Sequence, residues 1–504
     1  MTRQPLPAAS TLRRAILLAA SLLALTRPAS AATITVNTFA QGSVAGCSLA
    51  EAIASINAGA DGVAGCVAVV AVDAYGTNDT IILPFGTYPF TVADNPTNGL
   101  PIITESLTIN GNGATLARTL GNVAPFFRFF EVTAGNLTLN SLTLTGGNPG
   151  AGTNGGAVLD SSTGTLTITS CTFSGNTAQD DGGAIHKSGI GGDLTVTGST
   201  FTNNTATNSV PGDAEGGAIF AETTGNLTVT GSTFTNNTAT SSAGDADGGA
   251  IKTTENSGNL TVTGSTFTNN TATSSAGDAD GGAIGAESAS VTVTSSTFTN
   301  NTATSSGGDA DGGALDADSD SVTVTSSTFT NNAATSSGTT DDDDGAIGGG
   351  AIKMERSGTL STLSVTSSIF VNNRATRSGA DNASRGGALL DESSTTSAVN
   401  NNCFVGNTAQ SGGGVFRGGS PTVNAENNWW GAANGPSEAG FGSGDGVSSN
   451  VDFDPFLTSA PFAGCILAIP TLSEWAKLGM IALLVAGGLL ALRRTKRAIP
   501  TRPA

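Results

Sequence analysis

The residues best placed for chemistry in this sequence are carboxylates that recur. Gly-Asp-Ala-Asp-Gly-Gly stands at 244–249, 277–282 and 308–313, bringing Asp245, Asp247, Asp278, Asp280, Asp309 and Asp311, and a variant with Asp213 and Glu215 stands at 212–217. Were these blocks stacked, like charges about 5 Å apart would repel by roughly 0.8 kcal/mol even in water. A cation between them would relieve that repulsion, and the oxygen-rich set suits Ca²⁺. The match to a full Asp-x-Asp-x-Asp-Gly loop is partial, so a second reading stands beside it: solvated acidic loops that resist edge aggregation.

Catalysis asks for more than carboxylates. A glycosidase needs two of them about 5 to 9.5 Å apart in one cleft, whereas these pairs recur in identical loops, and a repeated site is rarely a catalytic one. A lyase needs Arg or Lys beside clustered acids, but Lys187, Lys252, Lys353, Arg356, Arg374, Arg377, Arg385 and Arg417 are scattered. Sugar-binding clefts favour Trp and Tyr platforms, and the only tyrosines are Tyr75 and Tyr88. His186, the one histidine, stands next to Lys187 without a Ser or Cys nucleophile context. The acidic run Asp341 to Asp344 reads as a solvated loop. The expectation is a protein that is not an enzyme.

The elements that must position these acids are set by export and by a repeat. Arg3, Arg13 and Arg14, an apolar run at 15–25 and Ala29-Ser30-Ala31 form a secretory signal over 1–31. Ten of the 20 Lys and Arg and one of the 39 Asp and Glu lie outside 32–468, which leaves that segment ten basic against 38 acidic groups. Such a surface repels nucleic acid and anionic membranes and attracts cations or basic partners. In an exported chain, Cys47 and Cys66 are the natural disulfide, both lying in one N-terminal segment. Cys171 and Cys403, each beside a repeat Phe, read as buried thiols. Neither a CxxC nor a Cys/His pattern at zinc spacing occurs, so no structural zinc is expected.

The repeat carries the fold. Phe-x-x-Asn recurs with its aromatic at Phe173, Phe201, Phe234, Phe267, Phe298, Phe329, Phe370 and Phe404, the first six preceded by Thr, and five of the seven intervals fall between 31 and 34 residues. Gly-Gly-Ala-Ile-like blocks alternate with it. Leu227-Thr-Val-Thr230 and Leu260-Thr-Val-Thr263 alternate with period two, the pattern of half-buried strand. One unit reads as three short strands, Gly-Gly-Ala-Ile, Leu-Thr-Val-Thr and Ser-Thr-Phe, forming one coil of a parallel solenoid. Stacking coils about 4.8 Å apart would make an internal Phe column and a ladder of the Asn residues that follow, Asn204 and Asn237 among them.

The pairing of Gly-Gly-Ala-Ile with Phe-x-x-Asn resembles the repeat of chlamydial-type polymorphic outer membrane proteins and, more broadly, the pectin-lyase-like right-handed β-helix. The resemblance covers roughly 150–430 and implies an all-β fold, a right-handed parallel β-helix, of the kind found in adhesins and passenger-like surface proteins. Cys47-Ser-Leu-Ala-Glu-Ala-Ile-Ala54 resembles the CSLREA motif of secreted β-helix proteins, with Ala50 where Arg is usual. Leu49, Ile53 and Ile56 lie at helical spacing, which predicts a short capping helix over the first coil. Asn427-Asn-Trp-Trp-Gly431 and Asp452-Phe-Asp-Pro-Phe456 resemble closing segments, with Trp429 and Trp430 capping the core.

The C-terminus holds Ile469, Pro470, Thr471, Leu472 and Trp475, then an apolar run at 478–492 and the basic cluster 493–497. This layout resembles the IPTL-CTERM sorting signal, which implies an exosortase-type processing enzyme in a Gram-negative bacterium. A C-terminal hydrophobic helix would hold the chain in the inner membrane, basic cluster inside, before release to the cell surface; a plain unprocessed anchor is the other reading. The expected organisation is a signal at 1–31, an N-terminal cap and first coils at 32–125, β-helix repeats at 126–430, a C-terminal cap at 431–468 and the sorting segment at 469–504. The functional expectation is a surface or secreted scaffold, adhesin-like and part of a biofilm or matrix, meeting extracellular polysaccharide or a host or neighbour cell surface. The alternative is a polysaccharide lyase or glycoside hydrolase using the β-helix groove.

Overall fold

The computed structural model describes residues 31–465 apart from 43–45, 61–64, 69–74, 76–77, 210–211, 256, 339–346, 356–360, 379–383, 394 and 396. The signal at 1–31 (but for its last residue), the sorting segment with its hydrophobic helix, and Asp341 to Asp344 lie outside the described residues.

A single coil shows why this sequence winds. Leu227–Thr230, Thr233–Thr235, Thr238–Ser241, Ala246–Asp247 and Ile251–Thr253 are its strands. The corners between them are residues held at positive φ: Gly231 (57°), Asn236 (54°) and Gly248 (60°). Glycine and asparagine are the residue types that tolerate this region. Where three strands per coil are expected, five are present, and Gly-Gly serves as a corner, not as strand. Its second glycine has a separate reason: a Cβ on Gly249 would run into the carbonyl of Gly282 in the next coil.

Successive coils pair in parallel, residue on residue. Leu227 faces Leu260, Phe234 faces Phe267, Ala246 faces Ala279 and Ile251 faces Ile284. The outcome is an all-β, parallel β-helix of about 11 turns, whose strands form sheets of 23, 12, 7 and 6 members. Period two decides what points inward. Ile251, Leu260, Val262, Phe267, Ala272 and Ala279 are all fully buried, so each coil adds one layer to a continuous apolar interior.

Two ladders hold the layers in register. Phenylalanine rings from Phe173 to Phe370 stack 4.7–5.0 Å apart and within 4° of parallel, and the column continues through Phe404 to Trp430. Beside it, Asn204 Nδ2 donates to Asn237 Oδ1 (2.9 Å), Asn237 Nδ2 to Asn270 Oδ1 (3.0 Å) and Asn270 Nδ2 to Asn301 Oδ1 (2.9 Å). Each Nδ2 also donates to a phenylalanine carbonyl, as Asn270 does to Phe234 at 3.1 Å. These amides are fully buried and hydrogen-bonded on both sides, the condition under which a buried polar group is not destabilising.

The ends are closed differently. Helix α1, Leu49–Ala58, begins in a capping box in which Ser48 N donates to Glu51 Oε2 and Glu51 N donates to Ser48 Oγ, and it ends at Gly59 in the left-handed region. It buries Leu49, Ile53 and Ile56 on the first coil, and Cys47 and Cys66 are joined in a disulfide beside it. At the far end Trp430 seals the aromatic column while Trp429 lies on the outside, packed with Val371 and Val405 against a second disulfide, Cys403–Cys465. The expected buried thiol at Cys403 is therefore corrected. Cys403 precedes Phe404 by one residue, so in a strand it faces away from the core; Cys171, two before Phe173, is the free and buried one. No helix among the described residues is long and apolar enough to cross a membrane.

Candidate functional site

The residue after each Gly-Gly-Ala-Ile-like block stands on the outer face of the twelve-stranded sheet. Strand register aligns these residues into one row: Leu159, His186, Phe220, Lys252, Gly285, Asp316, Lys353, Leu390 and Phe416. The corner at Gly248 and its equivalents folds the six-stranded sheet toward this row, and that sheet carries its own row of Glu215, Asp247, Asp280 and Asp311. A groove results where the two rows meet, and its charged stretch runs from Glu215 and Lys252 to Asp311 and Lys353.

Lysines scattered in the chain meet these acids in space. Lys252 Nζ lies 2.9 Å from Asp247 Oδ2, 2.6 Å from Glu287 Oε1 and 3.9 Å from Glu215 Oε1. Three coils on, Lys353 Nζ lies 2.7 Å from Asp311 Oδ2 and 3.0 Å from Glu355 Oε2. Burial alone would push both amines down, but the surrounding carboxylates outweigh it and hold both well above the usual lysine range. Arg377 reaches Asp309 at 3.3 Å. The expectation that basic groups are dispersed is thus corrected: residues about a hundred apart in sequence share one groove because the coil period brings them into one row.

Between the lysines the row is Gly285 and Asp316, and Asp280 sits on the facing wall. Burial, then Asp316, Asp247 and Asp311, push Asp280 well above the usual carboxylate range. Asp316 is raised by burial against the pull of Lys353. Toward the N-terminal end, burial lifts Glu215 to about 8 and Asp181 to about 7. Glu255, Glu287, Asp318 and Asp320 with Ser288 and Ala289 line an adjoining hollow of about 320 Å³.

The six repeated aspartates stack as expected but divide between two environments. Asp278 N donates to Asp245 Oδ1 (2.8 Å) and Asp309 N donates to Asp278 Oδ1 (2.7 Å), so that row forms a side-chain-to-backbone ladder. Asp247 and Asp311 instead bind lysine. The oxygen set read for Ca²⁺ is split accordingly, and among the described residues no group of three or more His, Cys, Asp or Glu side chains is arranged to hold a metal ion. His186 is almost fully buried, with its ring edge-on to Phe220 at 4.9 Å. Burial and then Arg128 hold it down to about 3, so it is neutral across the physiological range.

Raised carboxyls fix the sign of a pH response. Glu215 and Asp181 bind protons more tightly folded than unfolded, where 4.5 and 3.8 are ordinary. Their contribution is fully present below about pH 4 and is lost as pH rises through about 7 to 8. Thermal unfolding is expected to give a higher Tm near pH 5 than above about pH 8; an unchanged or rising Tm over that interval would contradict the burial of these groups.

The Chlamydia polymorphic membrane protein repeat matches residues 170–188, 198–222 and 231–254. Each match runs from a Phe corner to the groove residues His186, Phe220 and Lys252, so the repeat is the coil just described. No curated protein and no solved structure matches the chain. Fold and repeat define a parallel β-helix with coils similar to those of polymorphic membrane proteins.

Proposed function

We propose that this chain is a bacterial cell-surface or secreted scaffold, adhesin-like, whose long groove and regular faces hold an extracellular polymer or a neighbouring cell through many weak contacts. One observation carries the reading: coil after coil keeps the same register and stacks like residues into outward rows, such as Thr195, Thr228, Thr261, Thr292 and Thr323, offering many equivalent contacts in place of one special pocket. Linked weak contacts raise avidity without strong single sites. The matched repeat is named for a membrane protein, which supports a surface location. The segment at 469–497 supports the finer proposal of inner-membrane anchoring followed by exosortase-type sorting.

A second reading, a glycoside hydrolase or lyase, draws on Asp280 and Asp316, two half-buried carboxyls raised in one groove, the kind of shift that general acids use. Fractionation of the native organism tests the first reading. Released protein that is intact through Cys465 but lacks Trp475 and the basic cluster supports surface sorting; released protein retaining them sinks the processing step, and a cytoplasmic pool sinks the scaffold.

A further inference from the structure

Lys187 and Asp160 form a pair that solvent does not reach. Ile185–Lys187 pairs with Val158–Asp160 in parallel, so the two residues stand directly opposite in adjacent coils, with Val132 on one side of the pair and Ala221 on the other. Both side chains are 0% exposed, and Nζ lies 3.3 Å from Oδ2. Ser162 holds both partners: its carbonyl accepts from Lys187 Nζ at 2.6 Å, and its N–H donates to Asp160 Oδ1 at 2.9 Å. Beyond this contact with Nζ, Oδ2 takes no hydrogen bond among the described residues.

Burial pushes the Asp160 carboxyl above its usual range and the Lys187 amine below its own, each against the attraction of the other. The balance moves toward a neutral acid beside a neutral amine, the forms in which an amine attacks a carboxyl carbon. An ion pair at such a place also bears a heavy desolvation penalty.

We infer that Lys187 and Asp160 condense after folding into an intramolecular amide that ties two coils together. Nζ attacks Cγ while the Ser162 N–H stabilises the charge gathering on Oδ1. The Cγ–Nζ bond forms and the Cγ–Oδ2 bond breaks. One hydrogen from the neutral amine and the hydroxyl of the neutral acid leave as a single water, with no oxidant, reductant or co-reactant. The other buried pairs set the contrast. Arg417 and Asp391 occupy the same strand position, both 0% exposed at 2.8 Å, but a guanidinium stays protonated and cannot attack. Lys252 and Lys353 face several carboxylates that keep them protonated.

Trypsin reads the outcome. Arg128, Lys187 and Lys252 are consecutive cleavage sites, and an acylated lysine resists cleavage. The full-length exported chain, reduced, unfolded and digested, should yield one peptide spanning 129–252, lighter than its sequence by one water, with no fragment ions from bonds between 160 and 187. Asp160→Ala and Lys187→Arg should each be cut after position 187 with no mass deficit. The wild-type digest decides by itself, so misfolding of a variant does not blur the result. A wild-type product at its full sequence mass, whether cut at 187 or not, overturns the inference.

Discussion

Phe267→Ala is expected to destabilise the β-helix by about 3–5 kcal/mol, the range for emptying a buried phenylalanine site. Phe267 is fully buried, its ring 4.8 Å from Phe234 and 4.7 Å from Phe298. Truncation removes both stacking contacts as well as the buried area, and aromatic pairs contribute roughly 0.5–1.5 kcal/mol beyond their area. Strand pairing fixes the layers above and below, so they have little freedom to collapse into the gap. Because contacts run only between neighbouring coils, the damage should start locally and split a cooperative unfolding transition into two. Urea unfolding followed by amide hydrogen exchange checks this, with loss of protection centred on 260–274. Phe441→Ala, at a fully exposed site, is the control and should change stability by less than about 0.5 kcal/mol. A Phe267→Ala chain within that same margin would mean that the column does not support the fold.

Lys252→Met is the second large effect. Methionine keeps much of the aliphatic stem yet removes the ammonium that Asp247, Glu287 and Glu215 share. Breaking a buried ion pair by deleting one partner costs about 3–5 kcal/mol, because it leaves charge without compensation. The penalty should be largest above about pH 8 and shrink near pH 5, where Glu215, lifted to about 8 by burial, carries a proton. Unfolding measured at both values checks it. A loss independent of pH would assign the role of Lys252 to packing alone.

What could be read from the residues, and what could not, follows from how a coil is built. Phe267 and Asn270 stand at positions where one residue type recurs at every turn, because stacked rings and side-chain amides each need a like neighbour. The column and the ladder were therefore legible, as was α1, whose Leu49, Ile53 and Ile56 lie at helical spacing. The groove was harder. Its row reads His186, Phe220, Lys252, Gly285, Asp316, Lys353, a set with no shared type, and only its place directly after each Gly-Gly-Ala-Ile-like block marks it as a row. Lys252 and Lys353 lie about a hundred residues apart in the chain, so only the coil period brings them into one row.

The remaining misses have similar causes. Cys403 and Cys171 both stand near a repeat Phe, but a difference of one residue places Cys403 on the outer face, within reach of Cys465. The strands Thr238–Ser241 and Ala246–Asp247 carry Thr, Ser, Ala and Asp, types common in loops, and it is pairing with the next coil that makes them strands. The division of the aspartates into two rows depends on corner geometry at Gly248, which fixes whether a carboxylate meets a backbone N–H or a lysine.

Those internal partners bear on the proposed function: the chain's own lysines answer Asp247 and Asp311, which supports the proposal of holding over that of turnover. Incubating the full exported chain with acidic and neutral extracellular polysaccharides, and following retention on the polymer together with the release of reducing or unsaturated ends, tests that directly. Retention that strengthens with polymer length, with no product released, is the result expected of a scaffold. Release of oligosaccharides that disappears in Asp280→Asn or Asp316→Asn would contradict it and make the groove an active site.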